Sequence, residues 1–178
     1  MGNIDDIFNT MAQDAPTRTV PAGTDLLIEG DNAKQLYLVR KGGLRLWHND
    51  DGRDITVQFF FEGNVVSSFE SFYLNQPSMF SITSFEETTF VAIDGNTLRQ
   101  RIDQDPQLMA AVTEFVCHRF IAYTQYFLNR IQDSPEKRYQ ALLANQPQLA
   151  TRVPKNELAT YLGITPVSLS RIRNRLKK

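Results

Sequence analysis

Cysteine is all but missing from this chain: Cys117 is the only one in 178 residues. An intramolecular disulfide and an iron–sulfur cluster held by four thiolates of one chain are both excluded. Histidine is nearly as scarce, with His48 and His118 alone. A metal enzyme built inside a β-barrel needs several His and carboxylates converging on one point, so no metal site is expected. Two histidines leave no convincing nucleophile–base pair, and no Walker-type phosphate loop occurs, so the chain does not read as an enzyme. Cys117 and His118 adjoin in a helical stretch, where a packed thiol beside a partly exposed ring is the ordinary arrangement. Long apolar runs are also lacking, and nothing approaches the roughly 18 unbroken apolar residues of a membrane span. The N-terminus, Met1-Gly-Asn-Ile-Asp-Asp6, is acidic where a secretory signal is basic. A cytoplasmic protein with no membrane partner is the expectation.

Positive charge is thin over most of the chain and crowded at its end. Residues 1–133 carry 10 Lys+Arg against 18 Asp+Glu, and residues 134–178 carry 9 against 2. Such asymmetry suggests a small nucleic-acid-binding part joined to an acidic part with another task. With 42% apolar residues, the chain can bury one ordinary core and a small satellite.

Turn chemistry sharpens the reading of the basic end. Leu158, Ala159 and Leu162 form one apolar face of a short helix, and Gly163 can end it in a left-handed conformation. Ile164 anchors the turn, Thr165 is a good N-cap, and Pro166 suits the first position of a second helix. On that helix Leu169, Ile172 and Leu176 are expected to face inward. The pattern predicts a helix-turn-helix, whose second helix enters the DNA major groove.

Upstream, from about residue 17 to 93, the chain reads as short strands broken by turns. Residues 18–23, 25–28, 35–40, 43–47, 55–60, 80–83 and 88–93 are alternating or apolar. Asp51-Gly52 between two of them is a sharp hairpin signal. Strands at this spacing predict an antiparallel β-roll or jelly-roll-like barrel. A long helix follows, from about Pro106 to Ile131. Met109, Val112, Val116, Phe120, Tyr123 and Phe127 recur on it at spacings of three and four, close to a heptad seam for a homodimer. Ser134-Pro135 caps a further helix, and Asn145-Gln-Pro147 reads as a short linker. The fold class expected is therefore α+β: a β-roll over 1–104, a dimerisation helix over 105–133, and a helix-turn-helix unit over 134–178.

In this order of parts the chain resembles the Crp/Fnr-type transcription regulators. Gly23, Leu26, Gly30, Tyr37, Lys41-Gly42, Asp51-Gly52, Gly63 and the Leu158-to-Thr165 turn carry the resemblance, which covers nearly the whole sequence. It implies a homodimer whose roll senses a small molecule and whose recognition helices read a pseudo-palindromic operator in double-stranded DNA. It also allows RNA polymerase as a further partner. By similarity, Ser168, Arg171 and Asn174 are candidates for base or phosphate contacts, and Thr165 for a phosphate at the helix N-terminus. Ser170, Arg173, Arg175 and Lys178 join them on the reading helix, the arginines and Lys178 as backbone attraction.

Two departures from the family pattern stand out. Members that bind cyclic nucleotides carry a cassette whose Arg pairs with the cyclic phosphate and whose Glu takes a ribose hydroxyl. An ungapped match puts Ser67 and Ser68 at the Gly-Glu positions and Ser78 at the Arg, and residues 54–98 contain no Lys, Arg or His. Without the charge-assisted fork that makes such sites strong, cyclic AMP is not expected as effector, and no cofactor is expected either. Ser67, Ser68, Glu70, Ser71 and Ser78, with Tyr123 and Thr124 from the long helix, could line a pocket for another effector. Alternatively Phe69, Phe72 and Met79 fill that space and nothing is sensed. The second departure is the two-stranded wing that usually follows the recognition helix. None follows here, so either it is dispensed with or the chain is a shortened form, and affinity leans on dimerisation. A rival reading is a ligand-sensing or protein-interaction module that has lost operator recognition.

Overall fold

The computed structural model describes Phe8, Asn9, Ala12 and residues 15–176. Eight strands build two four-stranded antiparallel sheets. One has the order β1 (Thr17–Val20), β8 (Thr88–Asp94), β3 (Gln35–Lys41), β6 (Val65–Val66). The other runs β2 (Asp25–Leu27), β7 (Ser81–Ser84), β4 (Leu44–Asp50), β5 (Arg53–Phe60). Their inner faces meet over Tyr37, Val39, Leu44, Phe60, Ile82 and Phe90, with Tyr37 edge-on to Phe90 at 5.4 Å. The hairpin expected at Asp51-Gly52 joins β4 to β5, and both residues take positive φ (49° and 85°). That is the two-residue turn whose twist matches flanking strands. Strand β6 and helix α1 (Phe69–Leu74) were not legible in the sequence: two and six residues are too short to show a period.

Helix α2 (Gly95–Gln104) starts at Asp94, whose carboxylate accepts the Thr97 N–H at 2.8 Å. That hydrogen bond at a helix N-cap holds the Asp94 carboxyl below its usual range. The long helix α3 spans Pro106–Gln132 and opens on the same device, with Asp105 accepting from Gln107 and Leu108. Ser134 caps α4 (Pro135–Asn145) as its sequence implies. Of the linker read at Asn145-Gln-Pro147 only Gln146 lies between helices: Asn145 ends α4, and Pro147 opens a further helix, α5 (Pro147–Arg152), because it suits a first turn and Leu149 is buried beneath it. Helices α6 (Lys155–Tyr161) and α7 (Pro166–Leu176) then form the helix-turn-helix.

Gly163 sits between them at φ 69°, and an added Cβ there would lie 2.8 Å from the Arg130 guanidinium. The Arg130 side chain can move aside, so it is the backbone that calls for glycine. Leu158, Ala159, Leu162, Leu169 and Ile172 are buried as expected, whereas Leu176 is 37% exposed in the last turn, where little remains above it to pack on. Phe59 and Phe85 of the roll belong to the same cluster. The helical unit and the roll therefore share a core, which segment-by-segment reading of the sequence did not foresee.

Candidate DNA-reading helix and effector cavity

Thr165 caps α7 by accepting the Ser168 N–H at 3.1 Å, and its hydroxyl meets the Ser168 hydroxyl at 3.0 Å. Beyond this cap Val167, Arg171 and Asn174 are exposed on one face. Arg171 has no ion-pair or hydrogen-bond partner among the described residues. Other candidates are occupied. Ser170 donates to the Pro166 carbonyl, and Arg175 pairs with Glu136 at 3.1 Å. Arg173 is turned inward: its Nε donates to the Tyr139 hydroxyl at 3.0 Å and its Nη2 to the Ala150 carbonyl at 3.3 Å, so it braces the unit. Lys178 lies outside the described residues.

Helix α3 has two faces. Leu108, Phe115, Val116, Arg119 and Tyr126 turn toward the roll and the C-terminal helices. Opposite them, Ala110, Thr113, Cys117, Phe120, Thr124, Phe127 and Ile131 are all exposed, at alternating spacings of three and four. The expected seam partly overlaps this face, and Tyr123 is exposed as well. Met109, Phe120 and Phe127 are exposed, but Val112 and Val116 are half-buried, and Val116 and Tyr123 line a cavity under the helix. The two stripes lie one residue apart in sequence, and only packing against the roll shows which is free.

That cavity holds about 380 Å³. Leu36, Leu46, Val57, Phe60, Val65 and Val66 face it from the strands, and Phe69, Glu70 and Phe80 from the segment between β6 and β7. Phe115, Val116, Arg119, Phe120 and Tyr123 close it from α3. Of the expected pocket residues only Ser67, Glu70 and Tyr123 are brought to it. The other hydroxyls are consumed locally. Ser68 donates to the Glu70 carboxylate at 2.6 Å, Ser78 meets the Ser68 hydroxyl, and Ser71 bonds Gln76 and Ala33 backbone. Thr124 is exposed and donates to the Phe120 carbonyl. Phe69 and Met79 are more than half exposed and do not fill the space. Arg119, which carries no signal in the sequence, is the one basic residue in the lining among the described residues. Among the described residues no three His, Cys, Asp or Glu are placed to hold a metal ion.

Residues 17–105, the roll and the helix that closes it, match the cyclic nucleotide-binding domain model. The chain belongs to the cyclic nucleotide-binding domain family. Solved structures extend the likeness in fold to the helical end. FixK2 from Bradyrhizobium japonicum is 16% identical over 92% of this chain and 84% of its own, with a TM-score of 0.81. A Crp/Fnr-family transcriptional regulator of Eubacterium rectale is 17% identical over 99% and 84%, with a TM-score of 0.75. The c-di-GMP-responsive global regulator CLP of Xanthomonas campestris is 20% identical over 98% and 92%, with a TM-score of 0.74. No curated protein matches the chain. Among the described residues no helix is long and apolar enough to cross a membrane.

In this family member the roll and the helix-turn-helix are clamped together by charge. Arg152 of α5 forks onto Glu62 at 2.8 and 2.9 Å, bonds Glu86, and reaches the Gly42 carbonyl. The Arg152 hydrogen bonds are the main reason the Glu62 carboxyl falls to about 2, from an ordinary 4.5. A carboxyl depressed by folding contributes stability that is complete above about pH 4.5 and is lost as pH falls toward 2. Glu62 is well exposed, and solvent screening holds the contribution to about 1 kcal/mol. Urea denaturation at pH 7 and pH 3 is expected to show a larger acid loss in the wild type than in Arg152→Met. Equal losses would mean that the clamp carries no pH dependence. Nearby, Glu157 of α6 is pushed up by burial, its Oε2 3.7 Å from Arg45. Thr160 and Thr56 complete the seam with a 2.8 Å hydroxyl contact.

Proposed function

We propose that this protein is a homodimeric, sequence-specific DNA-binding transcription regulator that acts in the cytoplasm. Its β-roll senses an effector other than a cyclic nucleotide. The division proposed is a sensor over 1–104, a pairing helix over 105–133 and a reader over 134–178. The observation that carries the reading is the outward face of α7, where Arg171 stands exposed and unpaired among the described residues beside Asn174. A helix-turn-helix presents that face to base edges in the major groove. The exposed heptad seam of α3 supports pairing with a second copy, because seven positions at coiled-coil spacing would otherwise leave Phe120, Phe127 and Ile131 in water. Two readers related by a two-fold axis match a pseudo-palindromic site with half-sites about one DNA turn apart. Phe120 lies in both the seam and the cavity lining, so an effector in the cavity would act on helix pairing directly.

The cavity argues against a cyclic nucleotide. Ser68, Glu70 and Ser78 satisfy one another, and the segment between residues 54 and 98 brings no cation to a phosphate.

Selection from fragmented genomic DNA tests the reading. Enrichment of a two-fold-symmetric site is expected, with the logarithm of affinity falling by about 0.9 per phosphate contact for each unit of log salt. If no site is enriched, the chain is instead a sensing or partner-binding relative that has lost operator recognition.

A further inference from the structure

We infer that the roll cavity binds an apolar monocarboxylate, its acid head on Arg119 and its hydrocarbon or aryl body among Phe60, Phe80, Phe115 and Val116. The inference deepens the reading of the roll as an effector sensor and rests on it. At about 380 Å³ the cavity is in the range of small-ligand sites, which are mainly apolar with a few placed polar groups. What selects the head group is the state of Arg119. Its Nη2 donates to the Gln58 side-chain oxygen at 2.9 Å and to the Tyr123 hydroxyl at 3.2 Å. Its Nε and Nη1 have no partner among the described residues, and no carboxylate there lies within ion-pair distance.

A half-buried guanidinium facing apolar walls is ordinarily paired. Here the aromatic rings of Phe60 and Tyr123, 5.6 and 5.1 Å away, hold it in place without neutralising it. Glu70 shares the cavity wall but is turned away, accepting from the Ser68 hydroxyl and the Met79 N–H. Nε and Nη1 remain as two separate donors, each able to give a carboxylate oxygen one charge-assisted hydrogen bond. A single cation in an apolar chamber matches one negative charge; a doubly charged or sugar-bearing ligand would bury groups left without partners.

Calorimetric titration of the full-length protein tests this with octanoate, decanoate and 4-phenylbutyrate, and with 4-phenylbutan-1-ol as the uncharged counterpart of the last. At least one carboxylate is expected to bind saturably, one per chain, with a Kd on the order of 0.1 mM or tighter. Arg119→Gln is expected to weaken it about tenfold or more and to leave the alcohol within about twofold. Alcohol binding by the variant also shows that its cavity remains folded. Absence of saturable binding by all three acids, or acid binding that Arg119→Gln leaves intact, would overturn the assignment. Operator binding is read separately. A protein that binds the acid yet selects no DNA would defeat only the regulator reading, and one that selects DNA but binds no acid would defeat only this one.

Discussion

Arg171→Ala is expected to weaken operator binding by about 2–6 kcal/mol per dimer, because each protomer loses a contact of about 1–3 kcal/mol with a base edge. Arg171 is exposed and makes no intrachain ion pair or hydrogen bond among the described residues, so its removal leaves the thermal midpoint unchanged within error. Arg173→Ala is the informative contrast. Its guanidinium lies 5.7 Å from the Tyr139 ring centroid and bonds Tyr139 and Ala150, so the loss appears first as lower stability. Titration of both variants against the selected site, alongside melting curves, separates reading from bracing. Unchanged specific affinity in Arg171→Ala would remove α7 from the operator interface.

Phe59→Ala is expected to cost about 3–5 kcal/mol, the range for deleting a buried aromatic ring. Phe59 is 6% exposed on β5 and meets Phe85 edge-on at 5.4 Å and Tyr161 at 5.5 Å. It thus joins the roll to α6, the first helix of the helix-turn-helix, and its loss would open a cavity between them. Trp47, the only tryptophan, sits in the neighbouring strand with its indole N–H on Thr83, and its fluorescence follows urea unfolding of the roll. A shift below about 1 kcal/mol would show that the two parts do not share a core, since only a poorly packed ring is removed so cheaply.

The readings that held depended on local chemistry. Thr165, Pro166, Gly163 and Asp51-Gly52 act through their own backbone and nearest neighbours, so their signals survive without knowledge of the fold. The periodicity of α3 was also plain, but it supports two stripes, and choosing between Val116 and Cys117 as the free one requires knowing where the roll lies. The serines at 68, 71 and 78 were placed in the right region with the wrong orientation. Hydroxyls there close bonds with Glu70, Gln76 and Phe80, within a segment whose loop path the sequence does not reveal.

Charge shows the division most sharply. The basic surplus after residue 134 was visible by counting, yet Arg138, Arg152 and Arg173 spend it on carbonyls, carboxylates and a tyrosine inside the fold. Composition sets how many cations the segment has; contacts between residues far apart in sequence decide which remain exposed. The same holds for Arg119, one arginine on a long helix until β5 and α3 enclose it in an apolar chamber. Sequence alone determined the longer strands, the turns and the two helices of the helix-turn-helix, because each depends on neighbours within a few residues. The exposed face of α3, the fused core at Phe59 and the Arg119 donors left without a partner among the described residues were decided only by tertiary structure, because burial and pairing are properties of surfaces that meet in space.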